Sequence, residues 1–202
     1  ALAAANPLLI FYDGELLSVS LETALNLAFL LALVAAWRER RLSRGMLGKW
    51  AAAGALLGAA ALARPNILLP GGLLALAFLW RRRRAGEWRS AALACLAYGL
   101  AAAAAIAPAA VWNRVVGRDN VPICTQGGIN LYLGNAPFAS GLTPDTPITF
   151  SRHEGYEDSV ELYGRRAAET ALGRTLSPSE IDRYWLGRTF RSIASDPLRW
   201  LG

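Results

Sequence analysis

A single arginine stands in the middle of a long apolar run, and that placement limits what the chain can fold into. Residues 50–80 contain one ionisable group, Arg64, in the sequence Leu62-Ala63-Arg64-Pro65-Asn66. Basic clusters flank the run: Arg38, Arg40, Arg41, Arg44 and Lys49 before it, and Arg81 to Arg84 with Arg89 after it. Lysine and arginine collect in the short cytoplasmic loops of membrane proteins. With both clusters on that side, the chain must leave it and return within the run, turning at Arg64-Pro65-Asn66. A charge held at or below the far membrane surface is costly, and intramembrane charges usually serve binding or transport.

Composition supports a membrane chain. The protein is 54% hydrophobic with positive mean hydropathy, yet carries 21 Lys plus Arg and a net charge of +6. The excess basic charge is gathered in the two loops, so the high pI is a topology signal and gives no support to a nucleic-acid groove. Cys95 lies in an apolar stretch and Cys124 in a polar one, so a disulfide between them is not expected. The chain starts among apolar residues without a basic leader, and residues 198–202 resemble the approach to another helix. It reads as an internal fragment of a longer protein.

In chain order, residues 1–5 look like the end of a helix closed by Asn6-Pro7, and residues 8–14 like a surface turn. Residues 15–37 are long enough to span a bilayer, roughly 30 Å at about 1.5 Å per residue. Glu15, Ser18, Glu22 and Asn26 fall three and four apart, on one helical face. Glu15 alone also suits an interfacial site near a helix N-terminus. Glu22 lies deeper. After the loop 38–49, residues 50–63 and 66–80 form the limbs of a hairpin. Each is about 21–23 Å as helix, short of a hydrocarbon core of about 30 Å. Gly54 and Gly58 permit close helix contact, and Pro70-Gly71-Gly72 is expected to bend or break the second limb. Residues 90–110 are an alanine-rich span with Trp112 at the outer interface.

Residues 113–202 hold no further span and should be extracytoplasmic. Val121-Pro122-Ile123 could be a short strand. Asn130, Tyr132 and Asn135 lie in a glycine-rich stretch that suits either a surface binding a polar ligand or a turn with left-handed asparagines. His153, the sole histidine, reads as a loop residue, not a metal ligand. Residues 156–172 predict an amphipathic helix ending at Gly173. Ser177-Pro178-Ser179-Glu180 is a capping box opening a helix to about Ser195, closed by Asp196-Pro197. Trp185 and Trp200 are expected on the bilayer surface. No phosphate loop, dinucleotide fingerprint, HExxH or Cys/His cluster is present. The expected fold is mainly α: polytopic membrane helices with a short helical hairpin (1–112), then an α-rich extracytoplasmic segment (113–202).

Several pieces together resemble one family. They are Pro7-Leu-Leu-Ile-Phe-Tyr-Asp-Gly-Glu-Leu-Leu17, Gly54-Ala-Leu-Leu-Gly-Ala-Ala-Ala-Leu-Ala-Arg-Pro-Asn66 and Asn113-Arg-Val-Val116, followed by Gly127-Gly-Ile-Asn-Leu-Tyr-Leu-Gly-Asn135 and Leu176-Ser-Pro-Ser-Glu180 with Tyr184-Trp185. In order and spacing they are similar to bacterial GT-C glycosyltransferases of the protein O-mannosyltransferase and aminoarabinose transferase branch. The resemblance implies a multi-pass protein of the bacterial cytoplasmic (inner) membrane. It would pass a sugar from a polyprenyl-phosphate donor to a glycan, lipid or protein acceptor of the cell envelope, with membrane lipid as its surroundings and no nucleic acid as a partner. It assigns Arg64 to the donor phosphate. Glu15 matches an acidic position near the site or a divalent cation, with Glu22 as a second acidic candidate. The surface through Asn130, Tyr132 and Asn135 is left unassigned between donor and acceptor, and the catalytic acid is expected ahead of residue 1. Two other readings stand beside it: a transporter or flippase using Glu15, Glu22 and Arg64 as a pathway, and a non-catalytic membrane scaffold.

Overall fold

A computed structural model describes residues 19–39, 43–136, 139 and 156–197. Among these residues there are seven α-helices, one 3-10 turn and no strand. The chain divides into two compact units, Ala1–Val111 and Trp112–Gly202. Glu15, Trp200 and His153, with the turns expected in residues 1–14, lie outside the described residues.

The first unit contains α1 (Val19–Trp37), α2 (Arg44–Ala63), α3 (Leu68–Arg84) and most of α4 (Trp88–Val115). Three of these, α1, α2 and α4, are long and apolar enough to cross a membrane. The expected short first limb is therefore corrected. The Ser43 hydroxyl accepts from the Met46 N–H at 3.1 Å and starts α2 inside the basic loop, so the helix has 20 residues and a length of about 30 Å. Its end is set by proline. The residue before a proline is pushed out of the α region, and Arg64 is extended, with φ −147° and ψ 114°. A 3-10 turn, Pro65–Ile67, then leads directly into α3.

The break expected at Pro70-Gly71-Gly72 does not occur, because α3 runs through all three residues. Pro70 sits in the first turn, where backbone N–H groups have no intrahelical acceptor and a missing one costs nothing.

Packing in this unit is tight where small residues face one another. A Cβ placed on Gly54 would lie 2.8 Å from the Tyr98 carbonyl carbon, and one on Gly58 would lie 2.5 Å from the Ala102 oxygen. Only glycine at both positions lets α2 and α4 approach this closely. The space beside the seam is filled by aromatics: Trp50 stands 4.4 Å from Phe78 and 5.7 Å from Tyr98 between ring centroids. The Tyr98 hydroxyl donates to the Gly71 carbonyl at 3.1 Å, tying α4 to α3. Phe29, Leu33 and Ala36 complete the core from α1. The opposite faces of α1 and α4 are also apolar, with Leu31 72% and Leu100 62% exposed. Helices apolar on both faces suit a lipid environment.

The two basic loops meet at one end of the unit. Arg82 donates to the Glu39 backbone carbonyl and pairs with Glu87, while Lys49 pairs with the Glu39 carboxylate. The chain does leave this end after α1 and return to it through the hairpin.

The second unit contains α5 (Gly127–Asn135), α6 (Tyr156–Leu172) and α7 (Pro178–Ser195). Trp185 is its centre, 2% exposed, and its indole N–H donates to the Gly164 carbonyl at 3.0 Å. Its expected place on the bilayer surface is thus corrected: the ring packs against Tyr132, Tyr163 and Tyr184. Val121-Pro122-Ile123 forms no strand. The stretch 127–135 is a helix, and neither Asn130 nor Asn135 is left-handed. Gly128 serves close approach instead. A Cβ there would meet the Asp182 carbonyl carbon at 3.0 Å, and the Gly128 N–H donates to the Asp182 carboxylate at 2.5 Å.

Two carboxylates hold this unit at helix starts. Asp182 serves α5 as just described. Asp119 serves α7, accepting from the Ser179 N–H at 2.7 Å and the Ser179 hydroxyl at 2.5 Å. A negative group at a helix N-terminus satisfies free N–H donors and opposes the helix dipole. The capping box also forms: Pro178 takes the first position, and Glu180 accepts from the Ser177 N–H at 2.9 Å.

Candidate functional site

Arg64 is placed by the proline that follows it. Because Pro65 forces Arg64 out of the helix, its side chain leaves from the corner between α2 and the 3-10 turn. The face of α1 read from the sequence meets it there. Glu22, in the first turn of α1, places its carboxylate 3.4 Å from Arg64 Nε. The Glu22 side chain is 17% exposed and that of Arg64 is 55% exposed. The acid is therefore set into the protein, with the arginine reaching outward from it.

The pairing uses the Nε edge of the guanidinium. Among the described residues the two Nη groups have no acceptor, and a guanidinium fork of this kind matches a planar or tetrahedral anion. An arginine at the centre of a span costs about 2.5–3.5 kcal/mol on insertion scales. Pairing with Glu22 offsets part of any such cost and fixes the direction of the fork. One turn deeper on the same face, Asn26 Oδ1 is buried without a hydrogen-bond partner among the described residues. This face thus carries an acid, an amide and a facing arginine, and below them becomes the apolar core through Phe29, Leu33 and Ala36.

The remaining sequence candidates are dispersed. Asn130 is exposed on α5. Tyr132 is 8% exposed and stacks on Trp185 at 4.7 Å, so it belongs to the core of the second unit. The Asn135 amide donates to the Leu131 carbonyl at 2.8 Å, inside its own helix. Among the described residues, no group of three His, Cys, Asp or Glu side chains is arranged to hold a metal ion. Glu15, which the resemblance places near the site or a divalent cation, lies outside the described residues.

Sequence reading missed the Asp119–Ser179 and Asp182–Gly128 contacts. Each joins residues 54 or 60 positions apart, and no local periodicity marks them. The capping box was the one available signal that the start of α7 is a structured place. No family model, curated protein or solved structure matches the chain.

Proposed function

We propose that the chain is part of an integral membrane glycosyltransferase that moves a sugar from a polyprenyl-phosphate donor to an acceptor on the extracytoplasmic side. The observation that carries this reading is the guanidinium of Arg64, which meets the Glu22 carboxylate through Nε and has no acceptor for its Nη groups among the described residues. The motif resemblance supplies the donor class, and the three apolar helices supply a setting in which a lipid-linked donor is the natural substrate.

In this mechanism a carboxylate, which the resemblance puts ahead of residue 1, takes the proton of an acceptor hydroxyl. The oxygen attacks the anomeric carbon, a new C–O bond forms, and the bond to phosphate breaks. Polyprenyl phosphate leaves with an additional negative charge. Arg64 donates to that phosphate, and at low dielectric such a donor stabilises the developing charge far more than in water. Glu22 is a positioning residue. No step is routed through a metal ion.

Arg64→Ala in the full-length protein should lower sugar transfer by about 10²–10³-fold, the usual loss for one donor to a developing anion, while the protein still inserts. Transfer at the wild-type rate would end the assignment. The transporter reading draws on one observation, the buried Asn26 Oδ1 below the Glu22–Arg64 pair, which has no hydrogen-bond partner among the described residues. Proteoliposomes that translocate the lipid-linked sugar without transferring it would favour that reading.

A further inference from the structure

The loop after α4 and the start of α7 line a shallow, open concavity of about 590 Å³ that the proposed transferase reaction does not use. Every residue lining it is polar or charged, including Arg114, Arg118 and Arg183. The volume is in the range of small-ligand sites, but without apolar walls it suits only a hydrophilic ligand.

The charges in the concavity are not equivalent. Its two carboxylates are already committed. Asp119 accepts from the Ser179 hydroxyl, the Ser179 N–H and the Asn120 N–H. Glu180 accepts from the Ser177 N–H and from Arg174, whose two Nη groups lie 2.7 and 3.1 Å from its oxygens. The three lining arginines are barely engaged. Arg114 makes one long bond, 3.4 Å to Asn120 Oδ1, and Arg183 gives its Nε to the Ser179 carbonyl at 3.2 Å. Arg118 has no side-chain partner among the described residues.

Backbone conformation singles out Arg118. Among the described residues it is the one non-glycine residue at positive φ, 52°. The turn that closes α4 uses this left-handed residue just after Gly117. Glycine is the residue that takes such a position without strain, and here it stands one place earlier. A strained conformation held by an arginine at the rim of a polar concavity is the kind of outlier that functional sites retain.

We infer that Arg114, Arg118 and Arg183 form a binding site for the phosphate or pyrophosphate group of a polar ligand. Arginine forks match phosphate oxygens bidentately, and the committed carboxylates leave the guanidinium groups as the available donors. The phosphate could belong to a soluble phosphorylated compound or to a lipid headgroup. This site stands apart from the Arg64 reading and does not depend on it.

The test uses full-length protein in neutral detergent, titrated with inorganic pyrophosphate and followed by hydrogen exchange over residues 112–120 and the first turn of α7. Saturable protection is expected in the wild type. Arg118→Gly removes the guanidinium and relieves the positive φ together. It should weaken pyrophosphate binding at least about tenfold without lowering the ligand-free protection of α7. A merely structural arginine predicts the reverse, unchanged binding. A parallel measurement in nanodiscs with and without phosphatidylglycerol separates the sources. Protection that phosphatidylglycerol alone supplies identifies a headgroup site, and protection by pyrophosphate in both lipid mixtures identifies a soluble ligand. No saturable protection in any arm, or an Arg118→Gly variant that binds like wild type, overturns the site.

Discussion

Replacing Gly54 by alanine adds one methyl group to α2, and its cost follows from what that methyl would meet. The added carbon lies 2.8 Å from the Tyr98 carbonyl carbon and 2.9 Å from its Cα, and closer still to the carbonyl oxygen. All three are backbone atoms, so no rotamer change can make room. Ordinary carbon contacts need about 3.5–4.0 Å, so α2 and α4 must separate by roughly 1 Å. That shift also disturbs the Trp50–Tyr98 ring contact at 5.7 Å and the Tyr98–Gly71 hydrogen bond at 3.1 Å. Overpacking of this kind costs about 1–3 kcal/mol, against a helix-propensity gain of about 1 kcal/mol for alanine over glycine. Gly99, on α4, is the control, with nothing within 4 Å of an added Cβ. Hydrogen exchange of the protein in nanodiscs should show α2 and α4 amides up to about tenfold less protected in Gly54→Ala, and no loss in Gly99→Ala. Equal protection in the two variants would refute the seam.

Three further outcomes follow from the second unit and its surroundings. Cys124 is exposed and Cys95 is partly buried in α4; a membrane-impermeant maleimide should label Cys124 from outside intact cells, and labelling only after lysis would reverse the proposed topology. Hydrogen bonds from Arg174, then from the Ser177 N–H, hold the Glu180 carboxyl at about 2, below an ordinary 4.5. Burial raises the Asp119 carboxyl, but bonds from Ser179 and Asn120 outweigh it and leave it lowered. A lowered folded-state pKa means stabilisation that is complete above the unfolded value and lost on acidification. Hydrogen exchange at the start of α7 should accordingly lose protection as the pH falls from about 4.5 toward 2, and Glu180→Gln should flatten that slope. Trp185→Phe removes a hydrogen bond to Gly164, whereas the Trp50 indole N–H has no partner among the described residues; local protection should fall by about 1 kcal/mol more in Trp185→Phe than the ring loss alone gives, with no such extra term in Trp50→Phe.

The parts of the fold legible in the sequence are those written in local pattern. The basic clusters located the two loops that meet through Arg82 and Glu39, and Gly54 with Gly58 marked the seam against α4. The capping box opened α7 where expected. Boundaries were less legible. Apolar pattern alone began the first limb at Trp50, while one hydroxyl, that of Ser43, starts the helix six residues earlier. Pro70 read as a break because its effect depends on its position within the helix, and the first turn tolerates it. At the candidate site, helical spacing placed Glu22 and Asn26 on one face, but their meeting with Arg64 depends on packing between α1 and the hairpin tip. Trp185 read as a bilayer-surface residue and Tyr132 as part of a glycine-rich ligand surface or turn, and only the tertiary arrangement made them core.

The central claim is that Arg64 receives the phosphate of a lipid-linked sugar donor. The direct measurement is transfer of a labelled sugar from polyprenyl phosphate by full-length protein, compared with Arg64→Ala and Arg64→Lys. Transfer by the wild type is expected, with Arg64→Ala slower by about 10²–10³-fold and Arg64→Lys between the two, because lysine keeps the charge but lacks the fork. Equal rates for all three proteins, or no transfer by the wild type from any polyprenyl-phosphate sugar, would contradict it.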